Sequence, residues 1–99
     1  MKDYDEKVEG IIGIIDDGIK DSCMQCDWAH EARDSGDREA AMMFHTEAHK
    51  RLTSAKEWLE KHKEMLLDPH NAEDVAEVFV KRLEDRIAHA MAKVTGFKP

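Results

Sequence analysis

Apolar residues recur every three or four positions along three parts of the chain, with charged residues between them. This is the pattern of amphipathic α-helices, and it predicts an all-α protein with helices at residues 3–33, 37–67 and 71–95. The first apolar stripe consists of Tyr4, Val8, Ile11, Ile15, Ile19, Cys23 and Cys26. The second consists of Ala41, Phe44, Ala48, Leu52, Ala55, Leu59 and Leu66, and the third of Ala76, Phe79, Leu83, Ile87, Ala90 and Val94.

Two turn signals separate the three helices. In the first, at residues 34–37, Gly36 can adopt a positive φ and Asp37 can cap the second helix. In the second, either Asp68 caps the third helix with Pro69 in its first turn, or Asn71 caps it slightly later. Short connections make successive helices antiparallel, so the prediction is an up-down-up three-helix bundle that forms one domain over residues 1–99.

The first helix contains three glycines, Gly10, Gly13 and Gly18. Each costs about 1 kcal/mol relative to alanine in a helix interior. We expect them to mark close packing against a neighbouring helix, and the alternative is a break in the helix near Gly18.

Several apolar residues fall outside the three stripes, and they widen the apolar surface beyond what one thin bundle buries. We therefore expect self-association into a dimer with a larger core. The alternative is that these residues only flank a single core. They are Ile12, Ile14, Met42, Met43, Trp58, Val75, Val78 and Val80.

Composition and charge narrow the class of protein. The 99 residues are 41% hydrophobic and 37% charged, which is too apolar for a disordered chain and too polar for a membrane protein. The formal charge of −7 disfavours nucleic acid and anionic membranes as partners. The polar, acidic N-terminus lacks the features of a signal peptide, so we expect a cytoplasmic protein. In that compartment two cysteines stay thiols or bind metal.

Two cysteines and two histidines form the one constellation that suggests chemistry. Cys23 and Cys26 share one helix face, and His45 and His49 share another. Folding the chain at the turn near Gly36 brings Cys26 opposite His45 and Cys23 opposite His49. This Cys2His2 set predicts a site for zinc or another soft transition metal between the first two helices.

The alternative for this constellation is structural. Free cysteine behaves as a small apolar residue, and both cysteines lie on the core stripe. The two histidines then make ordinary hydrogen bonds at the edge of the core. His89 on the third helix is an extra candidate ligand, with an exposed helical histidine as its alternative.

Signals for enzymatic chemistry are missing from the sequence. There is no Glu-x-x-His pair for a di-iron bundle, no glycine-rich phosphate loop and no nucleophile elbow. We therefore predict a non-enzymatic bundle whose metal has a structural or sensory role. The alternative is a metal-free protein–protein interaction module, in which the acidic surface and residues 42–44 recruit a partner.

Overall fold

The computed structural model describes residues 3–67 and 73–98, with side chains described for residues 9–67 and 77–98. This part of the chain forms three α-helices, Asp3–Asp34 (α1), Arg38–Leu66 (α2) and Glu73–Thr95 (α3), and contains no strand. The all-α prediction and the three helices are confirmed. The predicted cap of α3 within residues 68–71 lies outside the described residues, as does Val75's side chain.

The turn between α1 and α2 forms as its sequence predicts. Gly36 has a φ of 85°, a conformation that glycine adopts without steric cost. The Asp37 carboxylate accepts a hydrogen bond of 3.0 Å from the Ala40 backbone N–H and so caps α2. The backbone N–H of Asp37 also donates to the Ala32 carbonyl at 2.8 Å, which fixes the exit from α1.

α1 is continuous through its glycines, so the predicted alternative of a break does not occur. Only Gly18 makes a close approach to another helix: a Cβ built there would lie 3.0 Å from the Ala55 Cβ on α2. A Cβ at Gly10 or Gly13 would meet no other atom within 4 Å. Close packing therefore explains one of the three glycines.

Among the described residues, the buried core follows the predicted stripes of α1 and α2 except at Cys23 and Phe44, which are half-buried, and it departs from the prediction on α3. The side chains of Tyr4, Val8 and Ala76, also predicted to lie in the core, are outside the described residues.

On α3, Val80 is buried, whereas Phe79, predicted to lie in the core, is 43% exposed. Residues 79 and 80 lie on either side of Leu83 on a helix, and α3 is rotated so that Val80 points inward. The core residues of α3 and its end are Val80, Leu83, Ile87, Ala90, Val94 and Phe97.

The remaining off-stripe residues divide into two groups. Ile12 and Trp58 pack at the edge of the core, as the single-core alternative predicts. Ile14, Met42, Met43 and Val78 are exposed.

For each pair of helices, the residues in contact follow a consistent order along the two helices. Between α1 and α2, Asp21 pairs with Arg51 at 2.9 Å, and Trp28 contacts Phe44 further toward the turn. Between α2 and α3, Lys63 pairs with Glu84 at 2.7 Å, whereas the earlier residue His45 reaches the later residue Val94. Between α1 and α3, Asp16 pairs with Arg86 and Asp27 with Lys93. The molecule measures 53 × 20 × 17 Å.

Within residues 3–67 and 73–98, no helix carries an apolar segment long enough to cross a bilayer.

Candidate functional site

Cys26 and His45 both reach the last turn of α3. The Cys26 thiol is fully buried, and its Sγ lies 3.8 Å from the Lys93 carbonyl oxygen. His45 donates from Nε2 to the Val94 carbonyl oxygen at 2.8 Å. The last four carbonyls of a helix lack partners within the helix, so these two side chains cap α3 from both neighbouring helices. Burial raises the pKa of the Cys26 thiol, which keeps it protonated as a donor.

Aromatic and cationic side chains surround Phe97, just beyond α3. His45 stacks on the Phe97 ring at a centroid distance of 5.0 Å, and His30 meets it edge-on at 4.8 Å. The Arg33 guanidinium lies 5.5 Å from the same ring centroid and donates to the Lys98 carbonyl at 3.0 Å. Phe97 is therefore a buried anchor that holds the end of the chain against α1 and α2.

Cys23 and His49 occupy different surroundings from this cap. Cys23 is half-buried and lines a groove between α1 and α3, together with His89. His49 is exposed, and its Nδ1 lies 3.5 Å from the Thr53 hydroxyl. Among the described residues, no three or more His, Cys, Asp or Glu side chains are grouped to hold one metal ion. The Cys2His2 centre of Cys23, Cys26, His45 and His49 stays a prediction.

A second feature is the outer face of α1 and α2, which we define by Ile14, Trp28, Phe44, Arg51 and Trp58. Trp28 is 40% exposed and contacts Phe44 edge-on, with ring centroids 5.6 Å apart. Ile14 is 55% exposed and lies four turns away along the same side of α1. Arg51 bridges Asp21 and Glu47 in the middle, at 2.9 and 3.2 Å.

Trp58 and His62 continue this side of α2 beyond Arg51, by the spacing of helical turns. Their rings are tilted against each other at a centroid distance of 4.5 Å. The Trp58 Nε1 and His62 Nε2 atoms are buried and have no hydrogen-bond partner among the described residues. Burying such atoms without a partner costs about 1–3 kcal/mol each. The outer face thus has apolar ends, a charged centre and unsatisfied polar atoms.

A third feature is the groove between α1 and α3, which has a volume of about 710 Å³. Lys20 and Arg86 both pair with Asp16 at one edge, and these two cations hold the pKa of Asp16 below its ordinary value of 3.8, the Lys20 hydrogen bond first. Lys93 pairs with Asp27 at 2.7 Å at the other end, and this hydrogen bond raises the pKa of Lys93.

The sequence does not indicate the groove, and it indicates the outer face only in part. The signal for the outer face was present in part, because Ile14 and Trp58 fell outside the apolar stripes. The groove combines residues about 65 positions apart, so no local pattern indicates it.

Comparison with known proteins gives no relative for this chain: no family model, curated protein or solved structure matches it.

Proposed function

We propose that this chain is a non-enzymatic interaction module that self-associates through its outer α1–α2 face. The observation that carries the proposal is the exposure of Trp28 and Ile14 on one side of the molecule, away from α3. Large side chains of this kind become energetic anchors when a partner covers them.

The proposed arrangement of the chain is up-down-up, as the order of helix contacts supports. Asp21 with Arg51 and Trp28 with Phe44 make α1 and α2 antiparallel, because later residues of α1 pair with earlier residues of α2. Asp16 with Arg86 and Asp27 with Lys93 make α1 and α3 parallel. In this arrangement one broad side of α1 and α2 is left without a third helix.

The dimensions of this side suit a second copy of the chain. The whole α1–α2 side of the molecule is at most 53 by 20 Å, or on the order of 1,000 Å², so an interface that buries about 800 Å² on each partner would use most of it. In a two-fold dimer whose axis is perpendicular to α1, the aromatic end of one copy, at Trp28, lies against the Ile14 end of the other. The Arg51 cluster then lies near the axis, where each guanidinium offsets one of the two carboxylates beside it.

Sedimentation velocity at about 1 µM and about 100 µM tests the proposal, because this range brackets weak dimers. We expect a dimer at the higher concentration and at least about tenfold weaker association for Ile14→Ser. Val78→Ser is the matched control, since Val78 on α3 is 54% exposed against 55% for Ile14. A monomer at both concentrations, or equal weakening by the two variants, contradicts the proposal.

The metal centre is a second candidate, with a structural or sensory role for zinc or a related soft ion. It is favoured by the approach of Cys26 and His45 to consecutive carbonyls of α3, which places them at one level of the bundle. A metal ion would have to replace the hydrogen bonds of both side chains, and His49 would have to turn inward from solvent. Elemental analysis of purified protein tests this candidate directly.

A further inference from the structure

The groove between α1 and α3 carries a charge opposite in sign to that of the whole molecule. The chain has a formal charge of −7, yet four cationic side chains line this groove against two carboxylates, with the Asp16 carboxylate at its edge as a third. The cations are Lys20, Arg82, Arg86 and Lys93, and the carboxylates are Asp27 and Asp85. A local field of this sign attracts negative groups even on an acidic protein.

The cations of the groove differ in whether they already form an ion pair within the molecule. Lys20 and Arg86 share the carboxylate of Asp16, and Lys93 pairs with Asp27. Arg82 makes no ion pair among the described residues, and its side chain is exposed at the groove. A guanidinium in this position can bind a carboxylate through two hydrogen bonds.

The floor and rim of the groove are apolar. Ile19 and Ala90 form buried parts of its floor, and Met24 stands on the rim with 43% of its surface exposed. Methionine is flexible and polarisable, and it adapts to different apolar partners. Val78, 54% exposed, lies one turn before Arg82 on the same side of α3. The groove therefore offers apolar contact beside a guanidinium that forms no ion pair with any residue the structure describes.

We propose that this groove binds an acidic amphipathic helix of a partner protein. Parallel ridges of two packed helices leave a groove into which the side chains of a third helix fit. Acidic residues of the partner helix pair with Arg82 and the neighbouring Arg86, while its apolar residues cover Met24 and the floor. The groove is largely open to solvent, unlike the enclosing pockets that bind small molecules.

Fluorescence anisotropy with a labelled helical peptide of leucine and glutamate, about 20 residues long, tests this inference. We expect micromolar binding that weakens as salt is added, and at least about tenfold weaker binding of the matched peptide with lysine in place of glutamate. Equal binding of the two peptides, or no binding of the glutamate peptide, overturns the proposal.

Two charge reversals locate the binding in the groove. Arg82→Glu should weaken binding of the glutamate peptide about tenfold. Lys50→Glu makes the same charge change at an exposed residue of α2 that does not line the groove, and it should alter binding by less than about twofold. Circular dichroism establishes that both variants are folded. Equal weakening by the two variants shows a general charge effect and overturns the assignment.

Cys23 provides a second, independent measurement because its thiol lines the groove whereas Cys26 is fully buried. Bound glutamate peptide should slow alkylation of Cys23 by iodoacetamide at least about threefold, as quantified by mass spectrometry, since a covered thiol is inaccessible to the reagent. An unchanged alkylation rate at saturating peptide overturns the proposal. Ile14→Ser should retain this protection, because the groove and the outer α1–α2 face are separate surfaces.

Discussion

Trp28 of α1 and Phe44 of α2 meet edge to face with their ring centroids 5.6 Å apart, while 40% of Trp28 stays exposed. Such a pair is worth about 0.5–1.5 kcal/mol beyond the area that it buries. Trp28 is therefore held in place before any partner arrives, and little side-chain entropy is lost when it is covered. This preorganisation is what makes the outer face a suitable anchor for association.

The glycines of α1 provide a test of helix packing. Gly13→Ala should raise the free energy of unfolding by about 1 kcal/mol, because a Cβ there meets no atom within 4 Å and alanine favours the helix. Gly18→Ala should lower it by about 1 kcal/mol, because the new Cβ would lie 3.0 Å from the Ala55 Cβ on α2, which is closer than ordinary van der Waals contact. Urea denaturation compares the two, and equal effects would refute close packing at Gly18.

The two phenylalanines of the α3 region should contribute very differently to the free energy of unfolding. Phe97→Ala should lower the free energy of unfolding by about 3 kcal/mol, because Phe97 is buried between His30 and His45. Phe79→Ala should cost less than about 1 kcal/mol, since Phe79 is 43% exposed and lies outside the buried core. Thermal or urea unfolding measures both, and a smaller loss for Phe97→Ala would show that the chain end is not anchored as described.

Asp16 should make stability depend on pH in acid. The Lys20 and Arg86 partners lower its folded pKa below 3.8, so its contribution is present above pH 3.8 and is lost as pH falls through the folded value. The stability difference between the wild type and Asp16→Asn should therefore shrink between about pH 5 and pH 2. Urea unfolding across this range measures it.

Asp17→Asn is the control for this experiment, because Asp17 is exposed and makes no ion pair among the described residues. A pH-independent difference for Asp16→Asn, or an equal effect in Asp17→Asn, would remove the ion pairs of Asp16 as the cause.

The zinc content of the protein and the effect of a chelator on its melting temperature test the metal site independently of association. Freshly purified protein should contain nearly stoichiometric zinc, and a chelator should lower the melting temperature because metal binding is linked to folding. Cys23→Ser should abolish the chelator effect while leaving the Cys26 cap of α3 intact. Metal-free protein with an unchanged melt would leave Cys26 and His45 as caps of α3 alone.

The sequence predicts those parts of the fold that depend on local signals. Gly36 and Asp37 define the turn between α1 and α2 because a positive φ and a capping carboxylate need only their neighbours. The rotation of α3 could not be predicted in this way. Phe79 and Val80 both satisfy the helical period with Leu83, and only the packing of three helices selects Val80 for the core.

The candidate surfaces also depend partly on local sequence patterns and partly on long-range packing. The spacing of Ile14 and Trp58 indicated apolar surface beyond one core, but the pairing of Trp28 with Phe44 requires the register of α1 on α2. The hydrogen bonds of Cys26 and His45 go to α3, whose position the spacing of α1 and α2 does not encode. The groove at Arg82 depends on the same long-range packing.

The most direct test of the outer face uses a cysteine at its centre. Asp21 lies midway between Ile14 and Trp28, so in a two-fold dimer whose axis is perpendicular to α1 the two copies of residue 21 lie close to the axis. With the accessible native thiol removed by Cys23→Ser, mild oxidation of Asp21→Cys should therefore give a covalent dimer, whereas Asp85→Cys, in the α1–α3 groove, should remain monomeric under the same conditions. Cross-linking of Asp85→Cys alone, or of both variants equally, would contradict association through the α1–α2 face.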